Sequence, residues 1–341
     1  MKIERLTAAR ESAWDAYADM HPEATVFHRA AWKRVMEESL GHAGTYLLAL
    51  DDGRIVGILP FCVVSTRLFG TLGVSLPFVG YGGAVSDGEE AEKALLEAAA
   101  REAEQAGCPG IELRQRFPLK TMPPEIDRKV ATVLSTEGGP AAVFARLHQN
   151  VRNKIRKAAK EGVSVQEGPD GLQDFYAIYS RNLRDLGTPV ITRRFFEAAL
   201  RHLPDNLRIY RAVRNGRTIA AKIVVADRRT CCFTWSASLR KELKHAPVHA
   251  MNWRAIEDAC ETGCDRVDLG RSTVGSSHQD FKKYWGGAAE ALPWAVLAVR
   301  DGSAPQLNKE NPSFSLAIAL WKRLPLGISR ILGPPIARGL P

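Results

Sequence analysis

The sequence has no uninterrupted apolar run of the roughly 18 to 20 residues that a membrane-spanning helix needs, so no transmembrane anchor is expected. Charged residues enter at once, at Glu4 and Arg5, with no apolar stretch behind a basic start; a secretory leader is not expected, and the protein reads as cytoplasmic. The six cysteines (Cys62, Cys108, Cys231, Cys232, Cys260, Cys264) make no C-x-x-C pair, and most lie in apolar stretches, so they read as reduced packing residues. Ser272 lacks a Gly-x-Ser-x-Gly setting, which argues against a serine triad. His245 and His249 are four residues apart, but Pro247 separates them and no third ligand is evident, so no metal is expected. From Asn311 to Pro341 there is no acidic residue at all.

What is present describes a folded protein with anionic partners. Hydrophobic residues make up 45% and charged residues 25%, the balance of an ordinary globular chain, and 341 residues suffice for two domains. Lys and Arg outnumber Asp and Glu by 47 to 38, a net charge of +9. Phosphorylated substrates, RNA and an acidic membrane surface would each satisfy that excess, and charge alone does not choose among them.

An internal repeat organises the chain. Tyr46 to Val64 reads as strand, tight turn at Asp51-Asp52-Gly53-Arg54, and strand; Arg208 to Ala226 repeats it around Asn215-Gly216-Arg217, 163 residues later. A helix-like stretch from Ala91 to Ala106 leads through Gly107-Cys108 to the strand Ile111 to Arg114. Its counterpart, Met251 to Thr262, leads through Gly263-Cys264 to Val267 to Arg271. Two hairpin-helix-strand units in one order predict a duplicated α/β domain with mixed sheets: residues 1–140, residues 141–302, and a tail at 303–341, with Met122 to Pro140 as the connection.

Two segments carry candidate chemistry. In the run from Asn150 to Lys160, Arg152, Arg156 and Lys160 fall on one helical stripe, and Val151, Ile155 and Ala159 on another. Like charges at that spacing repel, so a bound anion would relieve a cost; a solvated basic face is the plainer reading. Near the end of the second half, the strand Val267 to Gly270 runs into Arg271 and Ser272, a polar loop, and a short helix containing His278, Phe281, Lys282, Lys283 and Trp285. Loops at strand ends are where α/β folds place ligands. Phe281 and Trp285 read as core, and Asp268 as a base or a structural partner of Arg271.

The pairing of "HQNVRNKIRKAAKEGV" with "DLGRSTVGSSHQDFKKYWG" resembles the Fem family of aminoacyltransferases. Its members carry a basic R-x-x-I-x-x-A-x-x-x-G helix and an F-K-x-x-[FW]-G motif. The resemblance runs over residues 1 to about 300, with "FHRAAWKRVMEESLG" and "LPFVGYGGAVSD" in the first half, and is similar above all to a subgroup associated with exosortase and exopolysaccharide systems. It implies two tandem GNAT-like acyltransferase domains and no bound cofactor. The best understood members move an aminoacyl group from tRNA to an amine on a peptidoglycan precursor, so aminoacyl-tRNA or acyl-CoA would be the donor and an anionic molecule the acceptor; a lipid-linked acceptor is suggested by the basic tail, not by the resemblance. By resemblance Lys282 would face the transferred group or a phosphate, and Arg152 and Arg156 would hold an anionic substrate. Arg271, Ser272, His278 and Lys283 are counted with the substrate-binding residues. Direct attack by the amine needs no covalent enzyme intermediate, since positioning can contribute roughly 7 to 11 kcal/mol of the barrier.

Two other readings stay open. A coenzyme A-dependent N-acyltransferase would want a glycine-rich loop leading into a helix; Gly80-Tyr81-Gly82-Gly83 stands too far from the helix near Gly88, and the second half has Ala246-Pro247 there. A non-catalytic adaptor for RNA or a membrane surface would need only the positive charge. In the tail, basic residues alternate with Leu, Ile and Trp321, with Pro325 expected to break one helix and Pro334-Pro335 to end another. Such pieces suit either a peripheral contact with the inner face of the membrane or docking on the enzyme itself.

Overall fold

The computed structural model describes residues 1–66, 70–124, 129–299 and 312–340. The first half carries β1 (Lys2–Arg5), α1 (Glu11–Met20), α2 (Ala31–Leu40), β2 (Gly44–Asp51), β3 (Arg54–Thr66), β4 (Gly70–Val74), β5 (Val85–Ser86), α3 (Glu89–Gln105) and β6 (Gly110–Leu113). There follow β7 (Lys129–Ser135), α4 (Gly139–Arg146), α5 (Gln149–Lys160), β8 (Ser164–Glu167), α6 (Leu172–Leu186), α7 (Arg193–His202), β9 (Leu207–Arg214), β10 (Arg217–Ala226) and β11 (Thr230–Ser238). The last elements are α8 (Pro247–Glu261), β12 (Arg266–Thr273), α9 (Ser277–Lys283), β13 (Ala288–Ala291), β14 (Ala295–Ala298), α10 (Pro312–Arg323) and α11 (Leu326–Ala337). Contacts divide them into two units, Met1–Lys129 with Ala291–Lys309 and Pro335–Pro341, and Val130–Glu290 with Glu310–Pro334.

Among the described residues each unit is built on a seven-stranded sheet, ordered β1-β2-β3-β4-β6-β14 with β5 beside β3 in the first, and β13-β7-β12-β11-β10-β9-β8 in the second. From β2 through β14, and from β9 through β7, the strands correspond one to one. Both hairpins are antiparallel, and β4 with β6, like β11 with β12, is a parallel pair. The hairpin turns share their geometry: Asp52 and Gly53 have φ of 44° and 82°, Asn215 and Gly216 of 50° and 71°. Two successive positive φ values give the turn whose twist matches a hairpin, and Asp-Gly or Asn-Gly adopts it at least cost. The fold is therefore mixed α/β in two like halves.

The boundaries differ from those expected at 140 and 302. Inside the supposed connection, Lys129–Ser135 forms β7 of the second sheet, with Val130 to Leu134 all buried. Conversely, Ala295–Ala298 returns to the first sheet, where β14 pairs antiparallel with β6. These two strands fill equivalent places, beside β6 and beside β12. Which sheet a short buried strand joins leaves no mark in its own period.

In the first unit the sheet packs on α3 through Leu47, Leu59, Phe61, Leu95 and Ala99. In the second, Tyr210, Val224, Met251, Ile256 and Trp285 form the core with α5 and α8. On α5 the buried positions are Val151 and Ala158, with Ile155 partly covered, and Ala159 is exposed; the stripe drifts by one residue from the expected Ala159 because the helical period is 3.6, not 4. A helix also runs through Pro334-Pro335 to Ala337 instead of ending at the prolines. The lost N–H groups fall in its final turn, and packing holds that turn, Ala337 being 1% exposed.

Candidate active site

The site lies where the parallel pair β11–β12 is interrupted. The ladder joins Thr230–Cys232 to Arg266–Asp268. Just beyond, β11 bulges: Ile223 faces Trp235 and Val224 faces Phe233, leaving Thr234 as the extra residue. On β12, Gly270 has φ of 81°, and a Cβ there would stand 2.7 Å from the Phe233 carbonyl oxygen, so only glycine fits. A cavity of about 540 Å³ opens here, within the second unit. Lys222 of β10, Phe233 of β11, His249 and Asn252 of α8, and His278 and Lys282 of α9 line it.

The F-K-x-x-W-G segment has a separate job for each residue. Trp285 is buried in the core and Phe281 packs against it. Gly286, at φ 77°, lets the Arg146 carbonyl come within 3.0 Å of where a Cβ would be. With its neighbours committed to packing, Lys282 turns into the cavity and its Nζ donates to the Gly270 and Arg271 carbonyl oxygens at 2.7 and 2.9 Å. An ammonium has three N–H donors, which leaves one for a ligand oxygen. Burial pushes the Lys282 amine down to about 8; the Asp268 carboxylate works against that shift and Arg271 adds to it. Asp268 is itself buried, and its Oδ1 accepts from the Gly270 N–H at 2.7 Å, holding the loop that presents those carbonyls.

Of the residues singled out in the sequence, Lys282 and His278 line the cavity, and Arg152, Arg156, Arg271, Ser272 and Lys283 do not. Arg152 donates to the Ala145 carbonyl at 2.9 Å and to Gln149 Oε1 at 2.6 Å, while the Arg156 guanidinium lies 5.6 Å from the centre of the Phe144 ring. Arg271 is exposed, Lys283 pairs with Asp280 at 3.1 Å, and Ser272 is buried with no partner for its hydroxyl. The two sequence motifs nevertheless meet: the backbone N–H of His148, which caps α5, donates to the Tyr284 carbonyl at 3.1 Å.

Sequence reasoning missed Lys222 and Asn252. Lys222 is 2% exposed, its Nζ donates to Asn252 Oδ1 and stands 3.4 Å from the centre of the Phe233 ring. Burial drives its amine well below the ordinary lysine value, and Lys282 pushes it further down. A lysine inside the apolar strand Ile219–Val225 was the available signal. His249, dismissed as a metal ligand, is held against Trp285 and Phe281 with its Nδ1 unpartnered; burial lowers its imidazole to about 4.

Lys222 gives the first prediction. Below about pH 10.4 the unfolded chain keeps that proton while the folded chain binds it less, so folding stability rises with pH across this window. Wild type should therefore gain on Lys222→Met between pH 7 and 9, by up to about 1.4 kcal/mol per pH unit. Urea denaturation at both pH values measures it; parallel stabilities would show that the buried amine keeps its proton.

The glycines of the first unit's glycine-rich segment are accounted for by packing. A Cβ at Gly80, Gly82 or Gly83 would meet Phe27, Leu76 or Gln115 at 3.1, 2.7 or 2.3 Å, so the chain's own side chains fill that space. In the second unit Ala246 adopts φ 55° and Pro247 opens α8, where a pyrophosphate loop would need N–H donors.

Residues 145–283 match the family described as Acetyltransferase (GNAT) domain, which makes the part of the chain that holds the cavity an acyltransferase domain of the GNAT fold. Over 87% of this chain and 97% of the other, the fold is similar to that of FemX, with a TM-score of 0.69 at 14% identity. The C-terminal (DUF2156) domain of a protein described as a lysylphosphatidylglycerol synthetase from Agrobacterium fabrum is similar at TM-score 0.56 and 11% identity, over 85% of this chain and 92% of its own. A tandem GNAT protein from the clavulanic acid biosynthesis pathway is similar at TM-score 0.54 and 12% identity, over 89% and 99%. No curated protein sequence matches the chain.

Proposed function

We propose that this protein transfers an aminoacyl or acyl group to an amine on a cell-envelope or exopolysaccharide-related acceptor by direct attack. The observation that carries the reading is the Lys282 ammonium, held by two backbone carbonyls in a cavity at the end of a parallel strand pair. The amine nitrogen bonds to the acyl carbon, the C–O bond of an ester donor or the C–S bond of a thioester breaks, and the amine's proton leaves with the departing oxygen or sulfur. Charge develops on the acyl oxygen, and the remaining N–H of Lys282 stabilises it. His278 contacts substrate from the cavity wall. Arg152, Arg156, Arg271 and Lys283 supply a basic surround for an anionic donor or acceptor outside the cavity, and Ser272, whose hydroxyl is buried, acts on substrate only through the position of the Arg271 backbone.

The names of the similar proteins support this reading, since FemX and a lysylphosphatidylglycerol synthetase both fit an envelope acceptor. The enzyme would then work from the cytoplasm on a lipid-linked acceptor at the inner face of the membrane. Pro247 at the start of α8 favours aminoacyl-tRNA over acyl-CoA, because it lacks an N–H for a pyrophosphate.

The test is to incubate the purified chain with aminoacyl-tRNA or acyl-CoA donors and amine acceptors, and to look for the amide by mass spectrometry. Product with one donor is expected. Binding of RNA or vesicles with no product from either donor would make the chain a non-catalytic adaptor. Arg152→Ala with Arg156→Ala should raise KM for the anionic substrate with little change in kcat, and the effect should shrink as salt rises. A loss independent of salt would remove both arginines from charge recognition.

A further inference from the structure

The last helix, α11, is packed with its polar and small residues inward. α10 approaches Gly187 through Ile318 and Lys322, and Arg184 donates to the Leu324 carbonyl at 2.6 Å. In α11, Ser329 is 2% exposed, Arg330 donates to Ser180 Oγ at 2.9 Å and to the Ala177 carbonyl at 3.2 Å, and a Cβ on Gly333 would lie 3.0 Å from the Val190 backbone. The opposite stripe is apolar: Ile328, Ile331 and Leu332, at the i, i+3, i+4 spacing of one helical face, are 44%, 73% and 46% exposed. On α10, Leu316 and Leu320 repeat this at 65% and 57%. A helix on a globular core normally buries its apolar stripe, so the reversal in α11, with the exposed leucines of α10, leaves large apolar side chains on both helices that some partner must cover.

Charge selects the partner. Lys322 and Arg323, both exposed, form the last turn of α10, and no acidic residue occurs from Asn311 to Pro341. A second copy of the chain would bring those cations against their own kind, whereas an anionic leaflet would complement them. Each helix has 12 residues, about 18 Å of length, too short to cross a hydrocarbon core of about 30 Å. We infer that the outward face of α10 and α11 is a docking surface that lies in the interface of an anionic bilayer. Both docking on the enzyme and contact with a membrane then hold, through opposite sides of the same helices. This deepens the functional reading above, because Leu186, which lines the cavity and is 59% exposed, directly precedes Gly187 where α10 is seated.

Co-sedimentation of the full chain with phosphatidylglycerol-rich vesicles, against pure phosphatidylcholine vesicles, tests it. The wild type should bind the anionic vesicles, less so at high salt. The pair Leu320→Asp with Ile331→Asp should bind at least about tenfold more weakly, at an unchanged melting temperature. Indifference of the wild type to anionic vesicles, or equal binding by the variant, would overturn the assignment. So would a lipid-free dimer that the variant dissolves, since that gives the face to a second copy. Turnover on a water-soluble amine is read in parallel: if neither protein turns over while only the wild type binds vesicles, the acyl-transfer reading fails and the docking surface stands.

Discussion

Lys282→Ala is expected to lower turnover by about 10² to 10³-fold, the scale for losing one group that stabilises an oxyanion. The melting temperature should change little, because the Gly270 and Arg271 carbonyls then face a cavity that water can fill. The pH profile adds a readout that simple packing would not move. Burial brings the Lys282 amine down to about 8, and only the protonated form can stabilise an anion, so kcat should fall as pH rises through that value. Lys282→Arg, if it folds, should abolish this fall by holding its charge. Full activity in the alanine variant, or a flat wild-type profile between pH 7 and 9, would take Lys282 out of the chemistry.

Trp285→Ala should cost about 3 to 5 kcal/mol in urea denaturation, as expected for deleting a fully buried aromatic. The ring is 1% exposed and packs beside Phe281 and His249, at centroid distances of 6.3 and 5.8 Å. Its Nε1 has no hydrogen-bond partner, so Trp285→Phe loses volume but no hydrogen bond and should cost clearly less. Because the ring seats the helix that carries Lys282, the alanine variant should also lose turnover at temperatures where it remains folded. A cost below about 1 kcal/mol would mean the site can collapse around the loss, and that α9 is held by other contacts.

The sequence by itself determined whatever depends on one residue's backbone or on a short period. Asp52-Gly53 and Asn215-Gly216 read as hairpin turns because few other pairs accept two positive φ values in a row, and the duplicated fold followed from their matched settings. Lys282 stood out through the resemblance of its segment to the F-K-x-x-[FW]-G motif, with Phe281 and Trp285 already reading as core. Only the tertiary structure decided questions of what meets what. β7 and β14 are short apolar strands whose sheet is chosen by edges far away in the chain, so the boundary near residue 140 was misplaced. Lys222 joined the site through Asn252, 30 residues on, a contact no local pattern encodes. The tail's composition suggested an amphipathic pair, but which stripe would face the protein rested on Ser180, Ala177 and Val190, polar or close-fitting partners that reward Arg330 and Gly333 instead of Ile331. Dihedral preference and periodicity act within a few residues and are written locally; burial and partner choice are properties of the assembled surface, and they appear only once the chain has closed on itself.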